Sequence, residues 1–424
     1  VLSTAAPIFA AATTYTYIGP NGGDWATSSY WSPAGPPSTG AVAFFAPLGS
    51  GSYTYDYSLS GLGTIIFGNS SPASFSAPTL TQSGSTQIGA GVEIFDQGTY
   101  AQNGGTNVVS KTGTMAVGDG TLDSANYLLS GGTLSAGDFF VGAGTSSAGT
   151  VSVTGGTFNS SEMLIGFNQG AGNFFQSGST SLVSSTGSLL VGFYNGGTGT
   201  VNLSAGTFSA PSAQIGDQGS GTLIQTGSSV LSLGTLGLTV GNGSNSTGLA
   251  ALSGGTLNLS GILNVGASGA AGTLSQSGTS NINLTAGMFV GNGLLATGTA
   301  NFSGGTLTAT SQVIDVGFAG GAGTFIQSGT SDINLGLGQI YFGLDGTGVA
   351  SLSGGTLNVA GGQIGVGFGG GTGSLFQSGT SSINLGNGSL LIGTGGAGTD
   401  TFTGGFLSAV NGSIFVGANG GAGT

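Results

Sequence analysis

Thirteen carboxylates and a single basic residue, Lys111, are the only charged side chains in 424 residues, and the chain contains neither His nor Cys. Without imidazole or thiolate there is no histidine acid–base pair, no sulfur nucleophile and no ordinary zinc site. The chemistry left open is that of carboxylates: paired acids for glycoside cleavage, or turn acids for calcium. The acids are scattered across repeats at Asp119, Asp123, Asp138, Glu162, Asp217, Asp315, Asp332, Asp345 and Asp400. Asp217 and Asp315 occupy related positions four repeats apart, about 19 Å if the repeats stack at strand spacing. Glycoside hydrolysis needs its two carboxyls within roughly 9.5 Å. These acids therefore read as members of a solvated face. Gly395-Gly396-Ala397-Gly398-Thr399-Asp400 followed by Thr401-Phe402 matches one calcium-binding nonapeptide turn. Such turns share ions between neighbouring copies, and the equivalent positions read here as Val201, Phe325 and Val349 carry no carboxylate. No catalysis, cofactor or metal is expected.

A net charge of −12 with one Lys and no Arg gives no electrostatic footprint for nucleic acid. No apolar run is long enough for a membrane span. Gly accounts for 93 residues and Pro for nine, with no three-residue period, which excludes collagen. A hydrophobic fraction of 38% with 3% charged residues is too apolar for a solvated disordered chain.

What must position these residues is a repeat. An apolar residue followed by Gly recurs at Val117, Val141, Ile165, Val191, Ile215, Val240, Val265, Val290, Val316, Phe342, Val366, Ile392 and Val416, about 25 residues apart. Two residues before each anchor stands another apolar side chain, from Met115 to Ile414, and the residue between them varies freely. That alternation marks a strand with one buried face. Ser-Gly-Gly-Thr-Leu or a relative, as at Ser253–Leu257 and Ser303–Leu307, alternates with Gln-Ser-Gly-Thr-Ser, as at Gln276–Ser280 and Gln327–Ser331. Each unit reads as roughly three short strands joined by Gly-rich corners. A unit this small buries its apolar face only by stacking, so the expected fold is an all-β parallel β-solenoid, three-sided and right-handed by default. The rod would be about 65 Å long.

Stacking explains the scarcity of charge, because like side chains lie about 5 Å apart. Asn283, Asn334 and Asn384 recur every second coil, too far apart to form a ladder with one another, and read as bonding locally. Thr150, Thr200, Thr222, Thr273, Thr299, Thr324 and Thr399 read as corner residues rather than as a water-ordering array. The outward positions Phe140, Leu164, Leu190, Phe289, Tyr341, Leu391 and Phe415 form an apolar stripe. Such a stripe calls for a covering subunit or loop, unless the face is misassigned.

Residues 1–65, with Trp25, Trp31 and half of the Tyr, read as an aromatic arm and cap. Residues 66–424 read as the repeats, with the first anchors near Phe67-Gly68 and Ile88-Gly89. Val1–Ala12 is small and apolar, reading either as an export-signal remnant or as an extended arm. The sequence stops within the repeat grammar at Gly420–Thr424, which points to a continuing chain or to a second subunit covering that end.

Val366-Gly367-Phe368-Gly369-Gly370-Gly371-Thr372-Gly373-Ser374-Leu375, with its copies at Val191–Val201 and Val316–Phe325, resembles the autotransporter/PEP-CTERM-associated β-strand repeats of secreted bacterial proteins. The lead-in Tyr15–Phe45 is similar to theirs. The resemblance implies a surface-exposed or released solenoid serving as fibre, adhesin or spacer. It also implies an extracellular or cell-surface location in a bacterium. No outer-membrane barrel or sorting helix stands in the sequence, so the resemblance leaves anchoring open. The expected function is a fibre subunit polymerising with itself head to tail, by addition of the N-terminal strand to the far end. Val1, Tyr15, Tyr17, Ile414 and Val416 are then the contact residues. The alternative is a monomeric adhesin or passenger stalk that meets surface glycans.

Overall fold

The structure is a computed structural model that describes residues 13–20, 27–36, 41–45, 52–55, 60–67, 79–82, 86–95, 97–109 and 113–424. Each repeat lays down three strands with a corner after each. In one coil, Thr297–Phe302 forms the first face, Thr306–Thr308 the second and Val313–Phe318 the third. The chain then climbs to Ala322–Gln327, which pairs in parallel with Thr297–Phe302. Sixteen strands stack this way along the first face, from Ser52–Tyr55 to Ala422–Gly423. The second and third faces join into one sheet, because Thr207–Asp217 and Val230–Asn242 run around the corner without a break. The result is a parallel β-solenoid of about 13 turns with about 25 residues per turn.

The sequence period and the register coincide. Every anchor pairs with the next, from Val117↔Val141 to Ile392↔Val416. The anchors up to Ile392 and the apolar residues two positions before them are buried, and they meet Leu257, Ile282, Leu307 and their counterparts from the second face in one continuous core. The glycine after the anchor is demanded by the corner. Gly192 sits at φ +64°, and a Cβ there would collide with the Ser220 carbonyl of the next coil. Across the same corner a Cβ on Gly199 would strike the Ile165 carbonyl.

The two alternating motifs are halves of one joint. Gln276 is buried, and its Nε2 donates to the Ser280 carbonyl at 3.0 Å and to the Thr306 carbonyl of the next coil at 2.8 Å. Ser280 Oγ donates to the Ser277 carbonyl at 2.8 Å, closing the turn. Gly305, at φ +75°, leaves room for this group, since a Cβ there would stand 3.1 Å from Gln276 Nε2 and collide with the Ser280 carbonyl. Gln225, Gln327 and Gln377 repeat the tie to Thr256, Thr356 and Phe406. Each tie satisfies buried carbonyls whose abandonment costs about 1–3 kcal/mol.

Two expectations about polar columns are corrected. Asn334, Asn358 and Asn384 form a ladder across three successive coils, with Nδ2 to Oδ1 distances of 3.4 and 3.2 Å. The coil between Asn334 and Asn384 supplies Asn358 at the same register, so the bonding is not confined to local turns. Asn283 likewise donates to Asn258 at 2.9 Å. The Thr residues assigned to corners stand third in the first-face strands, as Thr200 does in Thr198–Leu203, and run up the outside of that sheet in register.

The ladder reaches back into the segment read as arm and cap. Thr14–Tyr17 pairs in parallel with Val42–Phe45, which continues through Ser60–Phe67 and Thr86–Phe95 to the first clear repeat. Phe67 is an anchor, in register with Phe95 and, through it, with Val117. Ile88 is not: it pairs with Val109 on the second face. The other edge of Thr14–Tyr17 is met by Trp31–Ser32 running antiparallel. Tyr17 and Trp31 are buried there with their rings 5.2 Å apart, edge to face, and Tyr17 Oη donates to the Pro20 carbonyl at 3.0 Å.

Candidate functional site

Three features stand apart from the regular wall: the outside of the third face, the acids on it, and the axial side of the last coil. On the third face the outward column runs in register through Phe140, Leu164 and Leu190, then polar Gln214, Thr239 and Asn264, then Phe289, Asp315, Tyr341, Gly365, Leu391 and Phe415. Leu164, Leu190 and Tyr341 are nonetheless buried, Phe140, Phe289 and Leu391 are half-buried, and Phe415 is exposed. Part of the cover comes from the next strand of the same face. The residue directly after the anchor glycine also faces out, and Phe167, Phe318 and Phe368 lean onto Phe140, Phe289 and Tyr341 of the preceding rung at 5.7, 4.9 and 5.0 Å. This second column was not singled out in the sequence, although Gly-Phe after the anchor was its signal.

The acids are only in part the solvated set expected: Asp119, Asp138 and Asp345 are exposed. Asp217 and Asp315 are buried, 8% and 5% exposed, and Asp315 Oδ1 has no hydrogen-bond partner. Burial pushes Asp315 up to about 6, with the Asp345 charge adding to it. Burial likewise raises Asp217, against a hydrogen bond from Asn242. Asp119, Asp123 and Glu162 move the same way, burial being the first cause in each. Asp345 is the neighbour that sequence spacing hid, brought beside Asp315 by one turn of the coil. Tyr341, one rung above Asp315, is raised by burial and by Asp315, and its Oη donates to Gln339 Oε1 at 2.6 Å. Among the described residues no three acids gather as a metal site.

Asp400 departs furthest from expectation. It does not point outward from a turn as a calcium ligand would. It stands fourth in Ala397–Phe402, in register with Leu375, Ala350 and Phe325, which are all core positions. Both of its carboxyl oxygens are buried with no side-chain partner, and burial raises it to about 7 against the weaker pull of the Thr401 amide.

On the axial side of the last coil, Phe402, Ile414 and Val416, level with buried Gln377, Leu390 and Ile392, are exposed. At the opposite end, of the expected contact residues, Tyr15 is half-buried, Tyr17 is fully buried within its own chain, and Val1 lies outside the described residues. Tyr17 therefore offers no free surface, because Trp31 and Val42–Phe45 already occupy the edges of its strand. A cleft of about 390 Å³ opens beside Gly365, lined by Phe368, Leu391 and Phe415 with Gln363, Thr394 and Asn419.

No family model matches the chain, and no curated protein or solved structure is similar to it at a significant level. Likeness to the autotransporter-associated repeats thus rests on the sequence grammar alone.

Proposed function

We propose that this protein is a non-catalytic structural subunit of an extracellular fibre, secreted by a bacterium and assembled by stacking coil upon coil. The observation that carries this reading is the stacking itself: parallel ladders in shared register run through every described coil. In the last coil the core positions Phe402, Ile414 and Val416 are exposed, and Ala422–Gly423 begins the next layer over Ala397–Gly398. A wall of this kind grows by adding coils in register, and in the proposed fibre the contact between copies repeats that stacking. The sequence-derived route, donation of Tyr15 and Tyr17 as an added strand, does not fit the buried Tyr17. Contact through whole coils takes its place. The regular wall supports the reading too: backbone ladders with no described cation give a stiff, uniform rod of about 60 Å.

A second reading, a monomeric adhesin stalk, is favoured by the cleft beside Gly365. Its aromatic and neutral amide and hydroxyl lining suits the apolar face and hydroxyls of a saccharide ring. Negative-stain microscopy of the purified chain separates the two. Filaments that lengthen with concentration support the fibre, and discrete rods at micromolar concentration with binding on a glycan array support the stalk.

A further inference from the structure

One corner position, two residues after the anchor glycine, is left-handed in every coil from Asn168 to Asn419. Asn168, Gln218, Ser268, Ala319 and Asp345 occupy it at φ between +50° and +61°, and Gly takes it in other coils. These occupants are small or polar, as a backbone that penalises bulk requires. Tyr194 is the exception, at φ +57° and 49% exposed. Strain kept where Asn serves the neighbouring coil is strain the fold does not need.

Tyr194 is also part of a built surface. Its amide donates to the Asp217 carbonyl at 2.9 Å and its carbonyl accepts from the Asn168 amide at 3.2 Å, so the coils on both sides fix its backbone. Its ring lies 5.8 Å from that of Phe167 at 21°, and Phe167 lies 5.9 Å from Phe193 at 19°. Tyr194 Oη bonds to no described residue. Beside the rings, Asn195 Nδ2 donates to Asn168 Oδ1 at 3.0 Å, which leaves Asn168 Nδ2 and Asn195 Oδ1 as a free donor and acceptor. Gln169 and Gln218 are exposed on the flanking coils, Asp217 is buried, and no described residue is cationic.

We propose that this corner is a saccharide-binding platform, with a neutral pyranose stacked on Tyr194 and its hydroxyls held by Asn168 and Asn195. The C–H face of a pyranose is electropositive and meets the negative face of an aromatic ring. Its hydroxyls both donate and accept, which the free amide atoms match. With no cation at hand and a net charge of −12, an anionic sugar is repelled. The rings and amides belong to adjoining coils of one corner, which suits a sugar rather than a protein partner with its footprint of about 800 Å². Coils lie below and above Leu189–Phe193, so the platform is complete within the described wall and does not depend on whether copies polymerise. It is also distinct from the cleft beside Gly365, whose lining it does not share.

The test is calorimetric titration of the full chain with cellohexaose, maltohexaose and chitohexaose, with polygalacturonate as the anionic comparison and thermal melting alongside. The wild type should bind at least one of the neutral oligosaccharides and leave polygalacturonate unbound. Tyr194→Asn should weaken that binding about tenfold or more, while its melting midpoint stays level or rises. Tyr194→Phe should keep most of the affinity, because the ring remains. Phe376→Ala removes a comparably exposed aromatic from the first face and should bind as the wild type does. The platform is overturned if the wild type binds none of the three at millimolar concentration, if polygalacturonate binds as well as they do, or if Tyr194→Asn retains its affinity. A Tyr194→Asn chain that melts well below the wild type would make the ring a structural cover and overturn it too. Filament formation, read separately by microscopy, decides the fibre and leaves this outcome untouched.

Discussion

Burial rather than pairing governs the ionisable side chains. Asp315 stands between Phe289 and Tyr341 on the outer wall with an unpartnered oxygen, so its carboxylate loses hydration without gaining a cation. The folded chain holds this proton up to about pH 6, and that of Asp400 up to about 7, whereas an unfolded Asp releases it near 3.8. The destabilisation is absent below about pH 4 and complete above about pH 7, so stability falls as pH rises through that window. Asp315 accounts for about 1–2 kcal/mol of it, allowing for solvent screening. Melting followed by circular dichroism should give a higher midpoint at pH 4.5 than at pH 7.5, and Asp315→Asn should flatten the profile near pH 6. A midpoint that climbs with pH would contradict this account. None of it was legible from spacing, because Asp315 and Asp345 are separated by a full turn of chain, and inward Asp400 looks like a turn acid in the sequence.

At the scale of the element, the corners carry the fold's specificity. Gly192 and Gly196 both have positive φ, +64° and +78°, yet only Gly192 faces a neighbouring carbonyl, while a Cβ on Gly196 meets nothing within 4 Å. Gly196→Ala should therefore cost only the backbone strain, about 1–2 kcal/mol. Gly192→Ala adds a collision with the next layer, and a loss above about 4 kcal/mol is expected. Amide exchange around Leu189–Phe193 and Ser220–Gln225 reads the difference, and equal protection in the two variants would contradict the close-approach explanation. The strand pattern around the anchors was readable because burial alternates there with period two. The N-terminal rungs were not, since Phe45, Phe67 and Phe95 are irregularly spaced and lack the Ser-Gly-Gly-Thr corner. Ile88-Gly89 imitates an anchor while lying on the second face. The Asn ladder was missed for a related reason: Asn358 belongs to the other coil type and was not compared with Asn334 and Asn384.

For the whole molecule, the 25-residue period dictated a column, and three parallel ladders with shared register realise it. The outer wall needs less help than its sequence implied, because Phe167, Phe318 and Phe368 cover their neighbours from the next rung of the same face. The fibre reading turns instead on whether the coil stacking continues from one copy to the next. Cryo-electron microscopy of assembled material addresses that contact directly. Strand spacing of about 4.8 Å should run unbroken through each junction, with the last coil of one copy seated in register against the first coil of the next. Copies joined through the outside of the third face, with the axial sides of their last coils left open, would contradict the account.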